Sequence, residues 1–137
     1  MTKGHCLCGA VTYEGKGAPH LHTCHCADCR RWTGGPMMGV RFDGGIEIAA
    51  PDKVRWFKSS EWAERGSCCD CGTSLFYRIQ GMGTIIATAG TLDDPPPAMT
   101  NAEHIFCDAK PTYYEFSGDA PRVTGAEVFA RYSGSGS

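Results

Sequence analysis

The sequence predicts a mainly β fold with short helical turns, on three observations. Eighteen glycines and eight prolines divide 137 residues into short runs. Most of those runs are rich in β-branched and aromatic residues and end on turn signals. No repeat, heptad pattern or low-complexity block interrupts them, so residues 1–132 are expected to form one domain. The closing Ser133-Gly134-Ser135-Gly136-Ser137 has the composition of a flexible end.

The elements follow in order. Val11 to Glu14 leaves the first cysteine pair as a strand. A short helix is expected from Asp28 through Trp32, because Gly34-Gly35-Pro36 stops it. Met37 to Phe42, Ile46 to Ile48 and Lys53 to Lys58 read as strands, separated by Asp43-Gly44-Gly45 and Pro51-Asp52. Glu61 to Arg65 is made of helix-tolerant residues and reads as a second short helix. Ser74 to Ile79 and Thr84 to Ala89 form two β-type runs joined by Gln80-Gly81-Met82-Gly83. Glu103 to Phe106 and Thr112 to Phe116 are the last two strand candidates.

Charge and hydropathy narrow the function classes. Lysines and arginines number 13 against 15 acidic residues, a net charge of -2, so the chain lacks the basic excess of a nucleic-acid binder. The opening MTKGHCLCGA has no apolar core of the signal-peptide kind, and no run approaches the length of a membrane span. A cytoplasmic location is therefore expected. Nine cysteines in a reducing compartment, an odd number, call for metal before disulfides. Trp32, Trp56 and Trp62 read as core or pocket walls. Met37-Met38 reads as buried strand, Pro95-Pro96-Pro97 as a stiff loop, and Asp93-Asp94 as a solvated turn.

Eight cysteines fall in three groups. Cys6-Leu7-Cys8-Gly9 and Cys68-Cys69-Asp70-Cys71-Gly72 each place two thiols on a tight turn, with a glycine that lets the backbone curl toward the sulfurs. Paired, they supply the four ligands of a closed tetrahedral site: Cys6, Cys8, Cys68 and Cys71. Four-thiolate iron has the same spacing; zinc is the expected metal. The middle group, Cys24-His25-Cys26-Ala27-Asp28-Cys29, brings three thiols and no fourth cysteine. Three ligands and a vacancy suit a zinc that performs chemistry, whereas a native fourth ligand would make the site structural. His20, His22, His25, His104, Cys69 and Cys107 are the candidates for closing it, and His104 equally suits a hydrogen-bonded core. Three sulfurs make zinc a weak Lewis acid that activates hydroxide poorly and accepts a soft thiol well, so thiol addition fits better than hydrolysis. Arg30 and Arg31 follow directly; they suit either a substrate carboxylate or the solvent.

Gly4-x-Cys6-x-Cys8-Gly9-x-Val11-x-Tyr13, Cys24-His25-Cys26-x-x-Cys29-Arg30, Cys68-x-x-Cys71-Gly72-Thr73 and His104-Ile105-Phe106 occur in this order. The set resembles the glutathione-dependent formaldehyde-activating family, also described as the centromere-protein-V/GFA domain, from Gly4 to about Tyr114. The resemblance implies a β-tent fold with two zincs, one structural on the first and third cysteine groups and one catalytic on Cys24, Cys26 and Cys29. It implies a carbon–sulfur lyase joining glutathione to formaldehyde, giving S-(hydroxymethyl)glutathione, with Arg30, Arg31 and Lys110 as candidates to meet the glutathione carboxylates. Ser67, where the family often has an aromatic residue, and the extra thiols Cys69 and Cys107 depart from the pattern. The contrasting expectation is a non-catalytic, zinc-stabilised β-domain that carries glutathione or binds a protein.

Overall fold

The computed structural model describes residues 1–97 and 99–135. Among them ten strands and two α-helices run in the order β1 (Thr2–His5), β2 (Thr12–Gly15), β3 (Pro19–Cys24), α1 (Ala27–Thr33), β4 (Met37–Phe42), β5 (Ile46–Ala49), β6 (Val54–Lys58), β7 (Ala63–Cys68), β8 (Ser74–Ile79), β9 (Ile85–Thr88), β10 (Asn101–Ile105) and α2 (Gly125–Ser135). The chain is mainly β, as composition predicts. No helix among the described residues is long and apolar enough to cross a membrane. The residues group into two compact units.

The first unit comprises Met1–Leu21 and Gly39–Thr100. Its smaller sheet has the order β1-β2-β5, all antiparallel. Tyr13 lies at its centre, opposite Gly4 on one side and Ile48 on the other. A larger antiparallel array runs β4-β9-β8-β7-β6. Val40, Phe42, Val54, Leu75, Phe76 and Ala87 from this array join Val11 and Tyr13 in one buried cluster. The Tyr13 ring meets Phe76 edge-on at 5.2 Å, and its hydroxyl lies 2.6 Å from Thr91 Oγ1. Burial thus removes the ring from water while its polar end keeps a partner.

Three sequence expectations need correction here. Glu61 to Arg65 is not helical. Residues from Ala63 onward form β7, which pairs with β6 and β8 at once. Helix-tolerant residues yield because a central strand satisfies its backbone on both sides and buries Ala63 and Arg65. Met38 and Trp62 are 43% and 50% exposed, so neither belongs to the core. Trp56 does pack against it, with Arg78 3.7 Å above its ring.

The second unit comprises His22–Met38 and the described residues from Asn101 onward. Helix α1 starts at Cys26, whose sulfur accepts the Cys29 amide at 3.4 Å, and ends at Gly34. Gly34 has φ 84°, a left-handed conformation natural to glycine, and its amide reaches Arg30 O at 2.8 Å. Thr112 to Phe116 is a turn and extended chain rather than a strand. It carries its aromatic rings against His25 and makes no ladder.

Helix α2 escapes the sequence reading. Thr124 and Glu127 form a reciprocal cap at its start: the Thr124 amide donates to Glu127 Oε1 at 3.0 Å and the Glu127 amide to Thr124 Oγ1 at 3.2 Å. Asp108 Oδ1 accepts the Gly125 amide at 2.8 Å. The helix extends to Ser135, taking in part of the tail read as flexible. Gly136 and Ser137 lie outside the described residues. Farther along, Arg131 grips Glu103 with two bonds of 2.7 and 3.0 Å.

Arg131 holds the Glu103 carboxyl below its ordinary pKa. Its contribution is therefore present at neutral pH and fades as acid protonates the carboxylate. Arg131 is half exposed, which limits the pair to about 0.5–1 kcal/mol. Glu103→Gln should accordingly lower the melting temperature by about 2–4 °C at pH 7. The difference should shrink in melts taken below about pH 4.

Candidate metal centre

In the first unit, the turn after β1 and the turn between β7 and β8 bring Cys6, Cys8, Cys68 and Cys71 together, with all four sulfurs within 4.8 Å of one another. The Cys6 and Cys8 sulfurs are 3.7 Å apart, and those of Cys8 and Cys68 are 3.8 Å apart. A tetrahedron with metal–sulfur bonds of about 2.3 Å has edges of about 3.8 Å, so the donor spacing fits a four-thiolate ion. Amides also point at the sulfurs: Val11 N is 3.3 Å from Cys6 Sγ and Asp70 N is 3.4 Å from Cys68 Sγ. Such bonds favour the thiolate form a metal requires.

Thr73 has a similar role. Its hydroxyl lies 3.1 Å from Cys71 Sγ, and the Leu7 amide donates to the same oxygen at 3.1 Å. The Thr73 hydroxyl, then its amide, hold Cys71 down to about 5. At Cys8 the Ala10 amide acts in the same direction. Desolvation and the thiols of Cys71, Cys6 and Cys68 outweigh it and push Cys8 up to about 12. A crowded set of sulfurs cannot all ionise unaided, whereas a divalent cation removes that repulsion.

The second unit gathers Cys24, Cys26 and Cys29, again with sulfurs within 4.8 Å of one another. Cys24 ends β3, Cys26 caps α1 and Cys29 occupies the first turn of the helix. Hydrogen bonds with Cys26 and Cys29 push the Cys24 thiol far up, the same crowding with the same remedy. Among the described residues, no histidine, carboxylate or further cysteine joins this trio. His25 lies between two of its members, yet its ring turns to other partners: Nδ1 is 2.9 Å from the Tyr114 hydroxyl and Nε2 is 2.9 Å from His104 Nδ1. His104 Nε2 in turn lies 3.0 Å from the Asn101 amide nitrogen. His25 and His104 are 1% and 2% exposed. Burial, then the neighbouring His104, hold His25 down to about 4. Burial, then Arg122, also keep His104 below its ordinary value.

The remaining sequence candidates are placed as follows. His20 pairs with Asp43 and His22 with Glu103. Cys69 is exposed on its knuckle and Cys107 opens a short 3-10 turn; neither joins a thiol group. Arg30 braces the loop, with Nε 3.1 Å from His25 O and its guanidinium 3.4 Å from Ala109 O. Lys110 contacts Glu115 at 2.9 Å and Pro111 O at 3.0 Å, and lies 5.1 Å above the Tyr114 ring. Arg31 is exposed. Sequence reasoning passed over Tyr114 and Asn101 as site residues, because nothing local to either one connects it with the cysteines.

The fold and these donors define a mainly β protein with two thiol groups, one of four and one of three, each able to hold a metal ion. The family profile described as glutathione-dependent formaldehyde-activating enzyme matches residues 1–109. The chain belongs to that family. An uncharacterized lyase of Schizosaccharomyces pombe is 28% identical over 127 residues, which cover 92% of this chain and 93% of the relative. Putative glutathione-dependent formaldehyde-activating enzymes of Aspergillus flavus and Aspergillus oryzae are 34% identical over 82 residues. Those matches cover 56% of this chain and 43% of each relative, so the match spans less than half the length of the Aspergillus proteins. A crystal structure of a Rhodobacter sphaeroides protein superimposes with a TM-score of 0.56 at 19% identity, over 88% of this chain and 98% of that one. That likeness concerns the fold.

Proposed function

We propose that this chain is a zinc-dependent carbon–sulfur lyase that joins glutathione, or a similar thiol, to formaldehyde or another small aldehyde. Cys6, Cys8, Cys68 and Cys71 hold a structural zinc, and Cys24, Cys26 and Cys29 a catalytic one. The observation that carries the reading is the trio of sulfurs with no fourth donor among the described histidines, cysteines and carboxylates. The family membership and the names of the relatives support the choice of thiol and aldehyde.

Zinc on three thiolates supplies a position that accepts a soft sulfur and keeps it ionised at neutral pH. The chain's own residues supply the rest. The cap of α1 fixes Cys26 and Cys29 relative to each other, and Arg30 holds the link between Cys24 and Cys26 through His25 O. Among the described residues Arg31 makes no ion pair. It therefore meets a glutathione carboxylate without breaking a native contact, whereas Lys110 has to leave Glu115. The reaction forms one carbon–sulfur bond while the carbonyl π pair passes to oxygen, and a proton completes the product. Holding sulfur and carbonyl carbon in contact supplies most of the acceleration.

Calorimetric titration with glutathione tests the reading, alongside exchange NMR with labelled formaldehyde. Wild-type protein should bind the thiol and accelerate exchange between free and thiol-bound formaldehyde. Cys26→Ser should lose both while keeping its melting temperature within about 5 °C, because the variant leaves the four-cysteine group intact. A wild-type chain with two zincs and no heat of thiol binding overturns the proposal in favour of a protein-interaction module. Thiol binding without acceleration makes the chain a glutathione carrier.

A further inference from the structure

The lyase reading leaves the proton for the product oxygen unassigned, and the second unit contains a group built to provide it. Beside the thiol trio runs a chain of four polar side chains, from Asn101 through His104 and His25 to Tyr114. The link between the two histidines spans 79 residues of sequence and that from His25 to Tyr114 spans 89. Phe116 covers both imidazoles, with ring centroids 5.5 Å from His25 and 4.9 Å from His104.

Donor and acceptor accounting gives the chain a direction. With the Asn101 amide nitrogen turned to His104, that nitrogen donates and His104 Nε2 accepts. His104 Nδ1 therefore carries the hydrogen and donates to His25 Nε2. His25 Nδ1 carries the next one and donates to the Tyr114 oxygen. Tyr114 has no other hydrogen-bond partner among the described residues, so its own hydrogen is available. Among the described residues, Asn101 Oδ1 is buried and has no hydrogen-bond partner. Tyr114 itself is only partly buried. Its hydroxyl meets the ring of His25, the residue that stands between Cys24 and Cys26 of the trio.

We propose that the Tyr114 hydroxyl delivers the proton to the oxygen of the new thiohemiacetal, and that Asn101, His104 and His25 position it as a donor. The inference rests on the lyase reading. Thiolate sulfur attacks the carbonyl carbon, the carbon–sulfur bond forms, and the π pair moves to oxygen. The Tyr114 proton passes to that oxygen, leaving a phenolate that accepts the His25 Nδ1 hydrogen bond. The proton released when the substrate thiol ionised returns to the phenolate through solvent. No electrons leave or enter the system. In the reverse direction the phenolate takes the hydroxyl proton and the carbon–sulfur bond breaks. Tyr114 is thus a catalytic residue, and the other three are positioning residues.

The test uses the full zinc-loaded chain, with glutathione and labelled formaldehyde. Tyr114→Phe should lower the catalysed exchange rate by about 100-fold or more. Its zinc content should match wild type, and its glutathione affinity should stay within about twofold, as expected for a group that acts on the transition state alone. Replacing Tyr114 with 3-fluorotyrosine, which keeps the shape and makes the phenol more acidic, should preserve the rate near neutrality. It should also move the alkaline limb of the pH profile to lower pH. Nitrogen NMR of the imidazoles should find both histidines protonated at Nδ1. Tyr114→Phe at the wild-type rate, an unmoved alkaline limb, or Nε2-protonated histidines each overturn the donor role while the lyase reading stands. A wild-type chain that neither binds glutathione nor accelerates exchange overturns both. Should Tyr114→Phe fail to fold, the fluorotyrosine profile decides alone.

Discussion

Cys68→Ser combined with Cys71→Ser should abolish cooperative folding of the first unit and reduce bound zinc from the two ions per chain proposed above to one at most. The four sulfurs join a turn near the amino terminus to one between two central strands, across a separation of 60 residues between Cys8 and Cys68. Structural zinc in small domains binds with an apparent free energy of about 10–16 kcal/mol at pH 7. Net folding stability is only about 5–15 kcal/mol, so losing the proposed structural zinc would remove an amount comparable to the whole. Cys6 and Cys68 are also buried, at 0% and 2% exposure, so ion-free sulfurs would remain crowded inside the core. Circular-dichroism melts and zinc analysis measure the outcome. Cys26→Ser gives the contrast: it should lose one zinc, with a melting temperature close to wild type. Mild chelation of wild-type protein should likewise release the zinc of the three-sulfur group first. Equal resistance of the two ions, or a cooperative wild-type melt for the double variant, contradicts the division of roles.

The grouping of the cysteines is the part of the site most legible in the sequence. Two glycine-backed cysteine pairs and one cysteine triplet name their own members by spacing, and the structure gathers those same sulfurs. The surroundings are less legible. Tyr114, His104 and Asn101 reach His25 only through tertiary folding, and no local spacing announces such a contact. Thr73 sits within the third motif, yet its hydrogen bonds to Cys71 and Leu7 follow from the packing of two turns.

The strands show a similar gradient. Met37–Phe42 and Ser74–Ile79 match expectation to the residue, because their apolar runs end on clear turn signals. Strand β1, Thr2–His5, has too few apolar residues to signal itself, and β3 opens on proline and carries two histidines. Helix α2 did leave a signal: Thr124 and Glu127 have capping-box spacing, and the structure realises that box. Ser, Gly and Ser in its last turn obscured the helix by composition.

Gly4→Ala should strongly destabilise the first unit. Gly4 faces Tyr13 across the β1–β2 ladder. A Cβ built there overlaps the Tyr13 ring at Cζ, Cε1 and the hydroxyl oxygen. The ring cannot swing away, since it is 2% exposed, packed edge-on against Phe76 and bonded through its hydroxyl to Thr91. The backbone cannot easily yield either, because Gly4 also bridges to Leu92. Overpacking of a well-filled core costs about 1–3 kcal/mol, and more where neither side gives way. Taking about 3 kcal/mol, the melting temperature should fall by about 10–15 °C. Because Gly4 precedes Cys6 by two residues, the displaced strand should also speed zinc release from the four-cysteine group. Gly9→Ala is the control. Gly9 has φ +80° with no atom within 4 Å of the added carbon, so that variant bears backbone strain alone, about 1 kcal/mol. A Gly4→Ala protein that melts no lower than Gly9→Ala would show that the Tyr13 ring has room the structure does not give it.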